Sequence, residues 1–265
     1  MKHVSIRGYN HFFEDINQDK EEVILLVHGH PFDHSMWNYQ VETLKEFRLI
    51  LPDLTGYGKT DYKAPKIFIE EQALDLAILL DELKIPKVHL IGLSMGGQII
   101  VEFTRLFPDR VISMVLCDSS PAGETKPSYF KRLDLAERIQ SIGMKEYTDK
   151  DIHKYLHPDT VKVRGTAYNH LYQMMINSNL DGAVASLRGR AERRDNFNFL
   201  RRIKVPSLVI VGDSDSFTPP REIEKAANQI PESKFEVIPN AGHVPNIEQP
   251  EIFNKLLVEF YNQLH

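Results

Sequence analysis

Short, mostly apolar runs recur along this chain, at Val23–Val27, Leu49–Leu51, Val88–Ile91, Val111–Leu116, Leu208–Val211 and Phe235–Ile238. Runs this short fit strands that are buried on both faces. Helical patterns follow most of them. Met36–Phe47 spaces Trp37, Val41, Leu44 and Phe47 at three to four residues, Ile69–Leu83 gathers Ala73, Leu76, Ala77, Leu80 and Leu83 on one face, and Ile252–Leu264 ends the series. Buried strands joined by helices dictate a mostly parallel α/β sheet covered on both faces. Ahead of them, His3–Arg7 and Phe12–Ile16 flank Gly8-Tyr9-Asn10, a hairpin signal that makes the sheet mixed and brings it to eight strands.

The alternation stops between residues 122 and 203. Helical patterns fill that interval, as at Tyr129–Ile142, Gly165–Ile176 and Asp181–Arg188, with no strand among them. The expected organisation is therefore an α/β core at 1–121 and 204–265, with a helical cap at 122–203 inserted after the sixth strand. An insertion at the carboxyl ends of the strands would roof the crevice where open α/β sheets bind ligands. The aromatic and apolar residues expected to face a substrate are Phe130 and Tyr168 from this cap, with Phe32, Phe217 and Val244 from the core.

Chemistry enters at Gly92-Leu93-Ser94-Met95-Gly96, between the run Val88–Ile91 and a helical pattern carrying Ile99, Ile100, Phe103 and Phe107. A serine at a tight strand-to-helix turn is presented for attack, and the glycines relieve crowding around it. The helix that starts there aims free N–H groups at any negative charge forming on that side. A serine hydroxyl needs a base, usually histidine, and the histidine needs a carboxylate to fix its tautomer. Both types follow Ser94 in loops after strands. Asp213 and Asp215 sit in Gly212–Pro219, and His243 in Asn240–Pro245. Asp118, just past the sixth strand, is a third candidate for the acid. Parallel strands end on one side, so these loops should meet at one sheet edge.

With these residues in hand, the chain resembles an α/β-hydrolase with a helical cap. The likeness covers nearly the whole chain and includes His28-Gly29 after the third strand and Asp53 to Gly58 after the fourth. Gly92 to Gly97 is similar to the elbow of small arylesterases, perhydrolase-like esterases and enol-lactonases. The resemblance implies Ser94 as nucleophile, Asp215 as acid and His243 as base, with the backbone N–H groups of His30 and Met95 as oxyanion hole. It implies acyl transfer on a small-molecule ester or lactone with no cofactor, since dehalogenases and epoxide hydrolases of this fold carry Asp at the elbow. An enol-lactonase or carbon–carbon bond hydrolase would use the same triad, and a ligand receptor on the same fold could keep it without turnover.

Other features narrow the field. Net charge is −5, which gives no electrostatic reason to bind nucleic acid or an anionic membrane. The densest basic stretch, Arg188 to Arg194, includes acidic Glu192 and reads as a solvated face. No apolar run approaches a membrane span, and the first residues lack the apolar core of a signal peptide. The lone Cys117 permits no intrachain disulfide, so a cytoplasmic protein is expected. Homodimer formation is left open. His28, His30, Asp33 and His34 nearly spell a binuclear metal signature, but one residue too many separates His30 from Asp33. Ligand geometry is strict, so no metal is expected.

Overall fold

The computed structural model describes residues 2–264. Its eight strands are β1 (Lys2–Ile6), β2 (Tyr9–Ile16), β3 (Val23–Val27), β4 (Arg48–Pro52), β5 (Val88–Leu93), β6 (Val111–Cys117), β7 (Ser207–Gly212) and β8 (Ser233–Ile238). They form one sheet in the order β1-β2-β4-β3-β5-β6-β7-β8. Pairing is parallel from β4 to β8, while β2 runs antiparallel to both neighbours. β3, β5 and β7 are buried along their whole length, so both faces of the sheet are covered. The mixed, eight-stranded sheet expected from the apolar runs is present.

The helices of the core are α1 (Asn38–Val41), α2 (Ile69–Glu82), α3 (Met95–Leu106), α8 (Pro220–Ala227), α9 (Pro245–Glu248) and α10 (Pro250–Tyr261). Between β6 and β7 lie α4 (Lys126–Asp151), α5 (Pro158–Val163), α6 (Thr166–Asn177) and α7 (Leu180–Ala191), with no strand among them. α4 holds a break at Gly143, whose φ of 77° is left-handed. The expected helix Tyr129–Ile142 stops one residue before that break.

Two local expectations are corrected. The first hairpin turns at Arg7-Gly8, both at positive φ, rather than at Gly8-Tyr9-Asn10. Residues 36–47 do not form one helix. A 3₁₀ turn at His34–Trp37 leads into the short α1. Asn246 Nδ2 donates to Met36 O at 2.8 Å and Asn254 Nδ2 donates to Tyr39 O at 2.8 Å, which claims carbonyls that a continuous helix would use internally.

The sequence order leaves β3 with β4 on one side and β5 on the other. Chain direction across the sheet reverses at this point, and a crevice opens beyond the carboxyl ends of β3 and β5. Among the described residues no helix is long and apolar enough to cross a membrane.

Candidate active site

Ser94 sits in that crevice at φ 55°, ψ −114°, between the end of β5 and the start of α3. A non-glycine residue there carries backbone strain, held by its surroundings. Ser94 N–H donates to Cys117 O at 2.8 Å, and Ser94 O accepts from Ser119 Oγ at 2.7 Å. The glycines are required by close approach. A Cβ on Gly92 would lie 2.6 Å from Gly96 O, and one on Gly96 would overlap Val27 O. The elbow is thus wedged against the end of β3.

His243 and Asp215 arrive from the ends of β8 and β7. Ser94 Oγ lies 2.8 Å from His243 Nε2, and His243 Nδ1 lies 2.8 Å from Asp215 Oδ2. All three residues are buried. Asp215 Oδ1 accepts from Phe217 N–H at 2.8 Å, and Oδ2 also accepts from the Thr218 hydroxyl. Burial opposes ionisation of Asp215, but the facing His243 and these hydrogen bonds outweigh it and hold the carboxyl at about 2. An ionised Asp215 can only accept, so His243 Nδ1 carries the ring proton. Nε2 is then free to accept from the Ser94 hydroxyl.

The other two candidate acids occupy different places. Asp213 accepts from the backbone N–H of Asn240 at 3.0 Å and so shapes the His243 loop. Asp118 is fully buried at φ 46°, and its Oδ1 accepts from Gly212 N–H at 2.9 Å. Its carboxyl comes within 4.8 Å of Asp215 and His243, yet Oδ2 has no hydrogen-bond partner. Burial, then the Asp215 charge, pushes the Asp118 carboxyl well above the usual range.

His30 lines the cavity beside Ser94. Among the described residues no protein acceptor takes the backbone N–H of His30 or of Met95. His30 Nδ1 lies 2.8 Å from the Tyr57 hydroxyl, and its buried Nε2 has no partner. Burial, then the charge of Arg190, pushes the His30 pKa well down, so the ring is neutral. The four residues of the near-metal signature take separate local partners. His28 Nδ1–H donates to Gly29 O at 2.8 Å while Nε2 accepts from Leu54 N–H at 3.0 Å. His34 Nδ1 pairs with Asp53 at 2.7 Å, and Asp33 accepts from Ser35 N–H at 2.8 Å.

The cavity has a volume of about 820 Å³ and reaches from Ser94 and His243 to α4 and α7. Of the aromatic and apolar residues expected in it, Phe217 is a lining residue, its ring 4.9 Å from that of His243. The expectation fails for the other four. Phe32 is buried beneath Tyr155, at 5.8 Å between rings. Phe130 is half exposed and packs edge-on against Tyr129. Tyr168 stacks on Tyr172, and Val244 is buried at the start of α9. The lining instead includes Tyr155, Leu187 and Arg190, none of them expected in the pocket. Nor is the Arg188–Arg194 stretch a solvated face throughout. Arg190 and Arg193 both line this cavity.

The segment between β6 and β7 is tied to the loop that carries His243. His243 N–H donates to Tyr155 O at 2.8 Å, and Glu248 accepts from both His157 N–H, at 2.8 Å, and Gly242 N–H, at 2.6 Å. Ser186 on α7 donates to Met95 Sδ at 3.2 Å, which sets that helix directly over the elbow.

Comparison with known proteins agrees with this fold. A profile of the alpha/beta hydrolase fold matches residues 22–250. The structure of a thermophilic esterase from Thermogutta terrifontis, with malate bound, superposes with a TM-score of 0.95, covers all of both chains and is 34% identical. The 2-hydroxy-6-oxononadienedioate/2-hydroxy-6-oxononatrienedioate hydrolase of Paraburkholderia phymatum is 28% identical over 95% of this chain and 90% of its own. The 3-oxoadipate enol-lactonase 1 of Acinetobacter baylyi is 27% identical over 88% of this chain and 85% of its own. The chain belongs to the alpha/beta hydrolase fold family, and an esterase, an enol-lactonase and a dienedioate hydrolase are among the proteins it is similar to.

Proposed function

We propose that the protein is a serine hydrolase that cleaves carboxylic esters or lactones through an acyl-enzyme. The observation that carries this reading is the unbroken relay from Ser94 Oγ to His243 Nε2 and from His243 Nδ1 to Asp215, each step 2.8 Å, opening onto a cavity. In the proposed reaction His243 takes the Ser94 proton as Oγ attacks the carbonyl carbon. The oxyanion is met by the N–H groups of His30 and Met95. Removing one such donor typically costs on the order of 100-fold in rate. The His243 imidazolium, stabilised by Asp215, then protonates the leaving alkoxide. Water, deprotonated by the same ring, attacks the acyl-enzyme and releases the acid. The helices between β6 and β7 act as a lid that shapes the acyl site. The reading calls for no cofactor, and the single buried Cys117 fits a cytoplasmic setting.

A second reading is favoured by the names of two relatives, an enol-lactonase and a hydrolase of a nonadienedioate. Lactone opening and carbon–carbon cleavage would use the same residues. A panel of p-nitrophenyl esters of rising chain length, set beside lactones and dienones, separates these outcomes. The proposal expects fastest turnover on esters or lactones. Turnover of dienones alone would move the assignment to carbon–carbon cleavage, and binding without turnover would make the protein a receptor.

A further inference from the structure

The chain is acidic overall, yet six cationic and three acidic side chains line the cavity beside Ser94. Four of the six cations have a carboxylate partner. Arg132 and Arg193 share Glu124, and Arg138 and Lys154 share Asp151. Arg190 is different. It sits in the last turn of α7, partly buried, and lines the cavity. Its Nε donates to Gln98 Oε1 at 2.8 Å, and Gln98 is itself anchored through Nε2 to Ser120 O at 3.0 Å. Among the described residues no carboxylate lies within 4.0 Å of its guanidinium.

We propose that Arg190 binds a carboxylate carried by the substrate, so that the ester or lactone cleaved at Ser94 is itself an anion. This rests on the hydrolase reading above for the bond cleaved, though not for the binding itself. A guanidinium taken out of water without a counter-ion is costly, and an incoming anion removes that cost. The fork of a guanidinium matches a carboxylate, and Gln98 fixes the orientation of this one in advance. Burial, and next the charges of Arg132 and Arg193, push the Arg190 pKa down, against the weaker opposing pull of Glu124. Ser186, four residues earlier on α7, touches Met95 beside the nucleophile. Four residues of helix advance about 6 Å, which suits a short diacid spanning from the scissile carbonyl to its far carboxylate. The overall reaction is half-ester plus water giving the diacid and an alcohol.

The test compares monoethyl glutarate with ethyl valerate, which have equal acyl length and differ by one carboxylate. Hydrolysis is followed by pH-stat for the wild type and for Arg190→Met and Arg190→Lys. Calorimetric titration of glutarate into each protein supplies a readout that needs no turnover. The wild type is expected to favour the half-ester at least tenfold in kcat/KM and to bind glutarate. Arg190→Met is expected to lose at least tenfold of that preference, mostly through KM, and Arg190→Lys to recover part of it. A wild-type ratio at or below one, with no glutarate binding, overturns the proposal even where the variants do not fold. A ratio unchanged in folded Arg190→Met also overturns it. Glutarate bound through Arg190, with neither ethyl ester nor any ester or lactone of the panel hydrolysed, refutes the hydrolase reading and supports the subsite.

Discussion

Replacing Asp215 by asparagine puts the relay under a well-defined stress. The carboxylate accepts His243 Nδ1–H at 2.8 Å and the Thr218 hydroxyl on Oδ2, and Phe217 N–H at 2.8 Å on Oδ1. An amide offers one acceptor oxygen, so one side must set donor against donor. With its NH₂ toward His243 the ring flips tautomer, and Nε2–H then faces Ser94 and cannot take its proton. With NH₂ toward Phe217 the tautomer survives, but the charge that stabilises the imidazolium is gone. Either way kcat is expected to fall on the order of 10³- to 10⁴-fold, about 4–5.5 kcal/mol on the barrier. Stability should change with a definite sign. Asp215 is held at about 2, below its ordinary 3.8, so its contribution is present above the ordinary value and lost as pH falls through about 2. That difference corresponds to roughly 2 kcal/mol at neutral pH, so Asp215→Asn should melt below the wild type at pH 7 and converge with it near pH 2. Asp118→Asn is the control. Its carboxyl is pushed up by burial, then by Asp215, so the amide should gain stability relative to the wild type as pH rises through that raised value. Its kcat should change less than about tenfold, because Asp118 makes no hydrogen bond to His243. The assay is kcat on the fastest ester of the panel, with thermal melts across pH. If Asp118→Asn loses as much rate as Asp215→Asn, the assignment of the acid is wrong.

Three further outcomes are expected. Gly96→Ala drives a Cβ into the Val27 carbonyl, so it should cost at least about 1–3 kcal/mol and lower Tm by several degrees, and an unchanged Tm in a melting scan contradicts the wedged elbow. His30→Ala keeps the backbone N–H but removes an imidazole whose buried Nε2 has no protein partner; it should alter the ranking of substrates in the ester panel, and an unaltered ranking means the ring does not touch substrate. Asn246→Ala removes the donor to Met36 O and Gln40 Oε1 beneath the His243 loop, and urea titration should show a loss of about 1–3 kcal/mol with the m-value unchanged.

The core was legible in the sequence because its central strands are buried on both faces and therefore read as short, mostly apolar runs. Ser94, Asp215 and His243 were legible because each sits in a loop directly after such a run. What escaped had weaker local signals. The first hairpin turns on Arg7 at φ 48°, a residue that carries no turn signature, while the neighbouring glycine drew the expected turn one residue late. Residues 36–47 have helical spacing, but side chains from beyond residue 240 capture their carbonyls, a tertiary effect that no local window contains. The pocket was misjudged because aromatic side chains in the inserted helices pack on one another, as Tyr168 does on Tyr172. Arg190 did leave a trace. The preceding stretch Gly182–Leu187 is buried throughout, so a helix enclosed on every side runs straight into a charged turn. Such a turn has little solvent to face and must meet a partner or a cavity.

The central claim is that Ser94 is the nucleophile, and covalent labelling tests it most directly. A fluorophosphonate probe followed by intact-mass spectrometry should add one label to the wild type, mapped to Ser94, and none to Ser94→Ala. His243→Ala should label far more slowly. Equal labelling of Ser94→Ala would contradict the account.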